Sequence, residues 1–301
     1  MEIGTSLRSG YLPPDARTGT RWMVERARAA AAAGLDSLFV GDHHNVPVPY
    51  YQNAAILGRV LAEWDDRPAG ALFLLPLWHP VLVAEFVGTL AAIARGPFVL
   101  QCAIGGGADQ FGAFGLRESQ RVGRFEAALD VVRRLCAGEE GTRSEPWVIE
   151  RARIAPVPPE PLTVWIGAAA PPGIDRAARL GDGFLIGPEA TPAEIPGLVY
   201  RYRSACALHG RPVGRIAVRR DVHVGADPTD AARVCDPVIA RGYRGFDPVA
   251  LVTGGADEVT QAFAALGDAG CDDVIVRHLA DEQADVLASY ERLAVVRAAL
   301  A

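Results

Sequence analysis

Asp42, His43 and His44 come directly after Gly41 and the short apolar run 37–40. A histidine titrates near neutral pH, so at a strand end it can donate or accept a proton or hold a substrate oxygen. His43 is therefore the candidate catalytic residue, and Asp42 a candidate ligand contact beside it. The competing reading makes Asp42 a cap for backbone N–H groups and His43 a packing residue. His43 and His44 are alternatives, because both cannot point into one interior. Trp78-His79-Pro80 opens a later helix, where proline sacrifices no hydrogen bond; His79 either caps that helix or reaches a ligand.

Two clusters of small residues follow strand-like runs. Gly105, Gly106 and Gly107 end the run 98–104, and glycine lets a backbone approach a flat ring or a phosphate closely. Gly167, Ala168, Ala169 and Ala170 follow the run 163–166 and lead through Pro171-Pro172-Gly173 into a helix. That geometry suits an anion held by backbone N–H groups, although a plain tight turn reads equally well. Phe111 and Phe114 pack into a core or wall a planar ring. Arg121 and Arg124 sit one turn apart, as a solvated face or as a cation near the ligand. No Gly-x-Ser-x-Gly or metal-binding histidine pair occurs, so covalent serine catalysis and zinc hydrolysis have no footing. The chain contains no lysine, which excludes a Schiff-base mechanism.

These residues hang on alternating apolar runs and helical segments. Strands are expected at 3–6, 37–40, 69–75, 98–104, 163–166, 183–186, 216–224 and 273–276. Helices are expected at 21–33, 53–64, 79–94, 120–137, 174–180, 194–209, 229–241, 257–269 and 282–299. Eight buried runs joined by helices match a (β/α)8 TIM barrel, in which the carboxyl ends of the strands carry the chemistry. The rival, an open doubly wound sheet, would place a Gly-x-Gly-x-x-Gly after the first strand; residues 7–14 do not supply one. The proline-rich stretch 138–161 reads as an excursion with one hairpin, within a single domain spanning 1–301. This excursion and the stretch 241–255 are expected to shape the substrate pocket.

The chain has 301 residues, half of them hydrophobic, enough for one large core. A net charge of −6 without a basic patch argues against nucleic acid as a partner. Cys102, Cys136, Cys206, Cys235 and Cys271 are scattered without metal-ligand spacing, so no metal is expected and the thiols read as free, in a reducing cytoplasm. The amino terminus does not read as a signal peptide, and no apolar run is long enough to span a membrane.

Taken in order, residues 25–44, 74–93, 105–115, 164–187 and 254–276 resemble the bacterial luciferase-like flavin and deazaflavin oxidoreductases, including the pair His79-Pro80 and Thr89-Leu90 further on. The resemblance implies a (β/α)8 barrel, often a homodimer, that binds FMN or coenzyme F420 (8-hydroxy-5-deazaflavin) and acts on a small-molecule substrate. It implies a ring flanked by Gly105–Gly107, a phosphate at Gly167–Ala170 and a non-prolyl cis peptide at Ala71–Leu72. His43 matches the catalytic histidine of relatives that oxidise sugar phosphates with F420. Their tryptophan four residues on is Pro47 here, their acidic partner is Ala108, a serine often found after strand five is Ala170, and a usual Gly-Gly-Arg is Arg95-Gly96-Pro97. The function expected from the resemblance is hydride transfer to or from a small organic substrate. The alternatives are FMN-dependent monooxygenation or a barrel that has lost catalysis.

Overall fold

The computed structural model describes residues 1–10 and 15–301. Its strands are β1 (Glu2–Leu7), β2 (Ser37–Val40), β3 (Ala69–Leu74), β4 (Phe98–Ala103), β5 (Gly141–Arg143), β6 (Ile149–Ala152), β7 (Thr163–Gly167), β8 (Gly183–Ile186), β9 (Arg215–Val224), β10 (Val252–Gly254) and β11 (Asp273–His278). The helices are α1 (Ala16–Ala32), α2 (Asn53–Val60), α3 (Pro80–Ile93), α4 (Ala108–Gly112), α5 (Arg121–Cys136), α6 (Pro171–Leu180), α7 (Ile195–Leu208), α8 (Pro228–Ala240), α9 (Ala256–Asp268) and α10 (Gln283–Leu300). Strands β1, β2, β3, β4, β7, β8, β9 and β11 pair in parallel, and the β8–β9 pairing closes them into an eight-stranded (β/α)8 barrel.

Side-chain parity divides the barrel. Phe39, Val99, Trp165, Ala217 and Ile275 point inward and fill the lower interior, so the barrel is a packed core rather than a pore. Their strand neighbours Leu38, Leu100, Val164, Val218 and Val274 face outward into the larger core under the helices. Between β3 and β4 the backbones crowd: a Cβ on Gly70 would sit 1.9 Å from the Val99 carbonyl oxygen. Only glycine permits that approach.

Several expected boundaries shift by a residue or two. The third strand ends at Leu74 and passes into a 3-10 turn, Leu75–Leu77. The segment 53–64 is α2 followed by the 3-10 turn Leu61–Glu63. Short elements absent from the sequence reading are α4 and β10, which pairs with the upper part of β9. The excursion does form one antiparallel hairpin, β5–β6. It straps the outside of the barrel: Gly88 of α3 lies under the Pro156 carbonyl and Gly141 packs on Leu135 of α5. It lines no part of the cavity described below, contrary to its expected role in the pocket.

The expected cis peptide at Ala71–Leu72 is corrected. Among the described residues only Glu145–Pro146 and Ala155–Pro156 are cis. Strand β3 pairs with β4 in unbroken register from Ala69↔Phe98 to Leu74↔Ala103. A regular ladder leaves no bulge to compensate a cis bond, which costs about 3–4 kcal/mol without proline.

Candidate active site at the carboxyl ends of the strands

A cavity of about 430 Å3 opens at the carboxyl ends of the barrel strands. Ser6 of β1, Leu72 and Leu74 of β3, Arg219 of β9 and Arg277 of β11 line it, with Gly41, Asp42, His43, Tyr50, Gly105, Gly106, Gln110 and Arg244 from the loops above. Its size lies within the range of small-molecule sites, and it combines an apolar wall with a few convergent polar groups.

Asp42 and the two histidines divide three tasks. Asp42 is buried, and its Oδ2 accepts hydrogen bonds from the Leu74 N–H and the Trp78 Nε1–H, both at 2.8 Å. It ties the end of β2 to the end of β3 and to the approach of α3, the capping role weighed for it. His44 turns away, with its Nε2 3.1 Å from Asp42 Oδ1 and its ring edge-on to Trp78 and Phe114. His43 remains in the cavity wall, edge-on to Tyr50 at 5.9 Å between ring centroids. Partial burial lowers its pKa below 6.5, against the opposing pull of Gln110 and Asp42. Its imidazole is accordingly neutral at pH 7 and able to accept a proton. Burial pushes the Tyr50 phenol up to about 12, so it stays a neutral hydroxyl.

Gly105 and Gly106 lie on the cavity rim; Gly105 has φ +63° and Gly107 has φ +98°. Gln110 holds this loop against His44: its Oε1 accepts from the His44 N–H at 2.9 Å and its Nε2 donates to the Gly106 carbonyl at 3.0 Å. Gly107 is set back from the cavity and donates its N–H to Glu118 at 3.2 Å. Leu72 faces the cavity, whereas Ala71 is fully buried in the outer core by strand alternation and cannot touch a ligand there.

Gly167, Ala168, Ala169 and Ala170 do not line this cavity. Nor is the start of α6 an effective anion site. Pro171 and Pro172 carry no N–H, and the N–H groups of Gly173 and Ile174 both donate to the Ala170 carbonyl, at 2.9 and 3.1 Å. The usual free donors of a helix start are therefore spent or missing. Arg121 pairs with Glu118, and Arg124 donates to the Pro76 carbonyl at 2.9 Å while lying over Trp147. Arg121 also stands beside the cavity rim, 3.6 Å from where a Cβ on Gly106 would sit. His79 precedes α3 without a side-chain cap and meets the edge of Trp147. Phe111 is fully buried and Phe114 is partly exposed against His44.

The sequence reading missed the polar half of the cavity. Arg219 and Asp221 alternate along β9, and Arg277 stands opposite Asp221 on β11. Asp221 is completely buried, and its Oδ2 accepts from Tyr243 Oη at 2.8 Å, Arg244 at 2.8 Å and Arg277 at 3.4 Å. Burial opposes its ionisation, but Arg277, Arg219 and Arg244 outweigh burial and hold its pKa below the usual carboxylate value. Burial lowers Arg219 to about 10, still fully charged at neutral pH. A sequence signal existed: Arg219 and Asp221 alternate near the end of β9, and Arg277 stands near the end of β11, all at positions that share the inward parity of Ala217 and Ile275.

Residues 1–295 match the family described as luciferase-like monooxygenase. The chain belongs to that family. Luciferase-like relatives include proteins named F420-dependent glucose-6-phosphate dehydrogenase. The one from Nakamurella multipartita is 27% identical over 191 residues, 60% of this chain and 56% of that protein. The one from Beutenbergia cavernae is 31% identical over 193 residues, 60% of this chain and 56% of that protein. The match thus spans little more than half the length of these relatives. Among solved structures, this luciferase-like barrel superposes on an F420-dependent secondary alcohol dehydrogenase bound to an F420-acetone adduct. The TM-score is 0.80 at 16% identity, covering 98% of each chain. It also superposes on the oxygenating constituent of 3,6-diketocamphane monooxygenase from Pseudomonas putida in complex with FMN. There the TM-score is 0.81 at 18% identity, covering 98% of this chain and 97% of the other. Among the described residues, no helix is long and apolar enough to cross a membrane, and no cluster of three His, Cys, Asp or Glu side chains is placed to hold a metal.

Proposed function

We propose that this luciferase-like barrel is an oxidoreductase that uses F420, or less favourably FMN, to move a hydride to or from a small organic substrate. The observation that carries the reading is the single neutral imidazole of His43, set in a ligand-sized cavity at the catalytic end of the barrel. F420 is preferred because the relatives with the sequence matches above carry F420 in their names. The cavity suits a planar ring: Leu72 and Leu74 offer an apolar wall, and the Gly105-Gly106 rim has no side chains to obstruct it. A phosphate at Gly167–Ala170 would have to rely on the backbone N–H groups of that loop, because the first donors of α6 are spent or missing.

Bound in this cavity, the cofactor supplies the hydride donor or acceptor, while the protein supplies position and proton transfer. His43 accepts a proton from a substrate hydroxyl in the oxidising direction and returns it in the reducing direction. Tyr50 packs edge-on against that imidazole and restricts its orientation. Asp42 holds the β2 end in place, which fixes the backbone that carries His43. Among the described residues Asp42 is the carboxylate of the cavity lining itself, and its hydrogen bonds from Leu74 and Trp78 give it a positioning role beside His43.

Equilibrium binding of F420 and, separately, FMN to the purified protein tests the reading. Micromolar F420 binding with weak FMN binding is the expected result. FMN preference moves the enzyme to monooxygenation, and binding of neither overturns the oxidoreductase reading. A homodimer is part of the proposal, supported by Leu82, Phe86 and Ile93 exposed along α3; light scattering at the monomer mass would remove it. Five buried free thiols support a cytoplasmic setting.

A further inference from the structure

The cavity holds more positive charge than the fold requires. Three guanidinium groups, Arg219, Arg244 and Arg277, share its wall. The two carboxylates nearby are Asp42 and Asp221. Asp42 is committed to Leu74 and Trp78, and among the described residues Asp221 is the one carboxylate that meets all three arginines. Its Oδ2 already takes three donors, and its Oδ1 lies 3.7 Å from Arg219 Nε without a hydrogen bond. Arg219 Nε is buried and has no hydrogen-bond partner among the described residues. Arg244 and Arg277 each meet Asp221 through one terminal nitrogen, although a guanidinium offers five donors. A purely structural pair would leave neither a surplus of cations nor an orphaned buried donor.

The loop that carries Arg244 is shaped around it. Gly242 and Gly245 adopt φ +76° and +69°, and Arg244 itself adopts φ +51°, a region that side-chain-bearing residues seldom occupy. Tyr243 and Arg244 are both fastened to Asp221, so the loop tip is docked on the barrel rather than left in solvent. Asp221 therefore orders the three cations and only partly neutralises them.

We infer that Arg219, Arg244 and Arg277 form an anion-recognition site for a phosphate or carboxylate group of the substrate. The assignment to substrate rests on the oxidoreductase reading. An anion held by these guanidiniums leaves the rest of its molecule in the same cavity as His43, whose imidazole senses the Arg244 charge. Planar guanidiniums suit bidentate recognition of such groups. The substrate class is thus a small hydroxy or oxo compound carrying a phosphate or carboxylate.

The test uses inorganic phosphate and succinate as probes on the full chain, with affinity read by calorimetry and by thermal shift. Wild-type protein should bind at least one probe with a strong dependence on salt. Arg244→Gln, at a partly exposed loop tip, should weaken that binding roughly tenfold, the loss expected for one charge-assisted hydrogen bond. Asp221→Asn, where it folds, should tighten binding, a gain that a structural plug would not give. Equal probe binding by wild type and Arg244→Gln, or none by either, overturns the site. Competition between the probe and F420 or FMN overturns the substrate assignment and gives the anion to the cofactor. Probe binding is measured without cofactor, so failure of this site is distinct from failure to bind F420 or FMN.

Discussion

His43 is the residue on which the proposed proton transfer turns, and its electrostatics fix a sign. Burial lowers its pKa below 6.5, so the neutral form predominates at pH 7. Oxidation of a hydroxyl needs that neutral form, so kcat/KM should fall as pH drops through a value below 6.5. His43→Gln should lower kcat/KM by about 100- to 10,000-fold and abolish the acidic limb, while F420 affinity stays close to wild type. A pH-rate profile of both proteins checks this; an acidic limb surviving in the variant would move the titration to another group. The neighbouring residues show what sequence alone conveys. Asp42, His43 and His44 were visible as a polar strand end, but the division of labour among them depends on Trp78 and Leu74, which approach through the fold. Arg219, Arg244 and Arg277 are far apart in the chain and meet only when the barrel closes.

Among the elements, β3 and β4 show how tightly the barrel constrains its strands. Gly70 lies so close to the Val99 carbonyl that any Cβ must displace backbone rather than a flexible side chain. Gly70→Ala should cost on the order of 1–3 kcal/mol by overpacking, read as a lower urea midpoint with an unchanged slope. A midpoint equal to wild type would mean that the two strands part readily. The same regularity explains why β3 was legible from its apolar run, and why the cis peptide carried over from the family does not occur. Strands buried on both faces announce themselves through continuous hydrophobicity. The three-residue β10 and the five-residue α4 have no periodicity to read, since tertiary pairing and the Gly107 turn create them. At the start of α6 the sequence was misleading in another way. Small residues before a helix suggested a phosphate cradle, yet Pro171 and Pro172 remove two of the donors that a helix start would add to it.

At the scale of the whole molecule, closing the barrel buries polar groups between strands and helices, and His278 is the sharpest case. It lies on the outer face of β11 against Tyr290 of α10, with ring centroids 4.1 Å apart and Nε2 without a hydrogen-bond partner among the described residues. Burial lowers its pKa to about 3, with Arg26 and His223 adding repulsion. The unfolded chain binds this proton near pH 6.5 and the folded chain only near pH 3, so stability is present above pH 6.5 and is lost as pH falls. The slope from this one group is about 1.4 kcal/mol per pH unit. Asp273 works in the opposite direction: burial raises its pKa to about 6, so its contribution is largest at low pH and declines as pH rises. The net curve of the wild type mixes the two, which makes a difference measurement necessary. His278→Phe keeps an aromatic ring against Tyr290 and removes the titration. The stability of the variant relative to wild type should therefore increase steadily as pH falls from 6.5 towards 3, as urea unfolding at successive pH values would show. Parallel curves for the two proteins would mean that His278 gains a proton acceptor or water in the fold, and that the acid sensitivity of the barrel lies elsewhere.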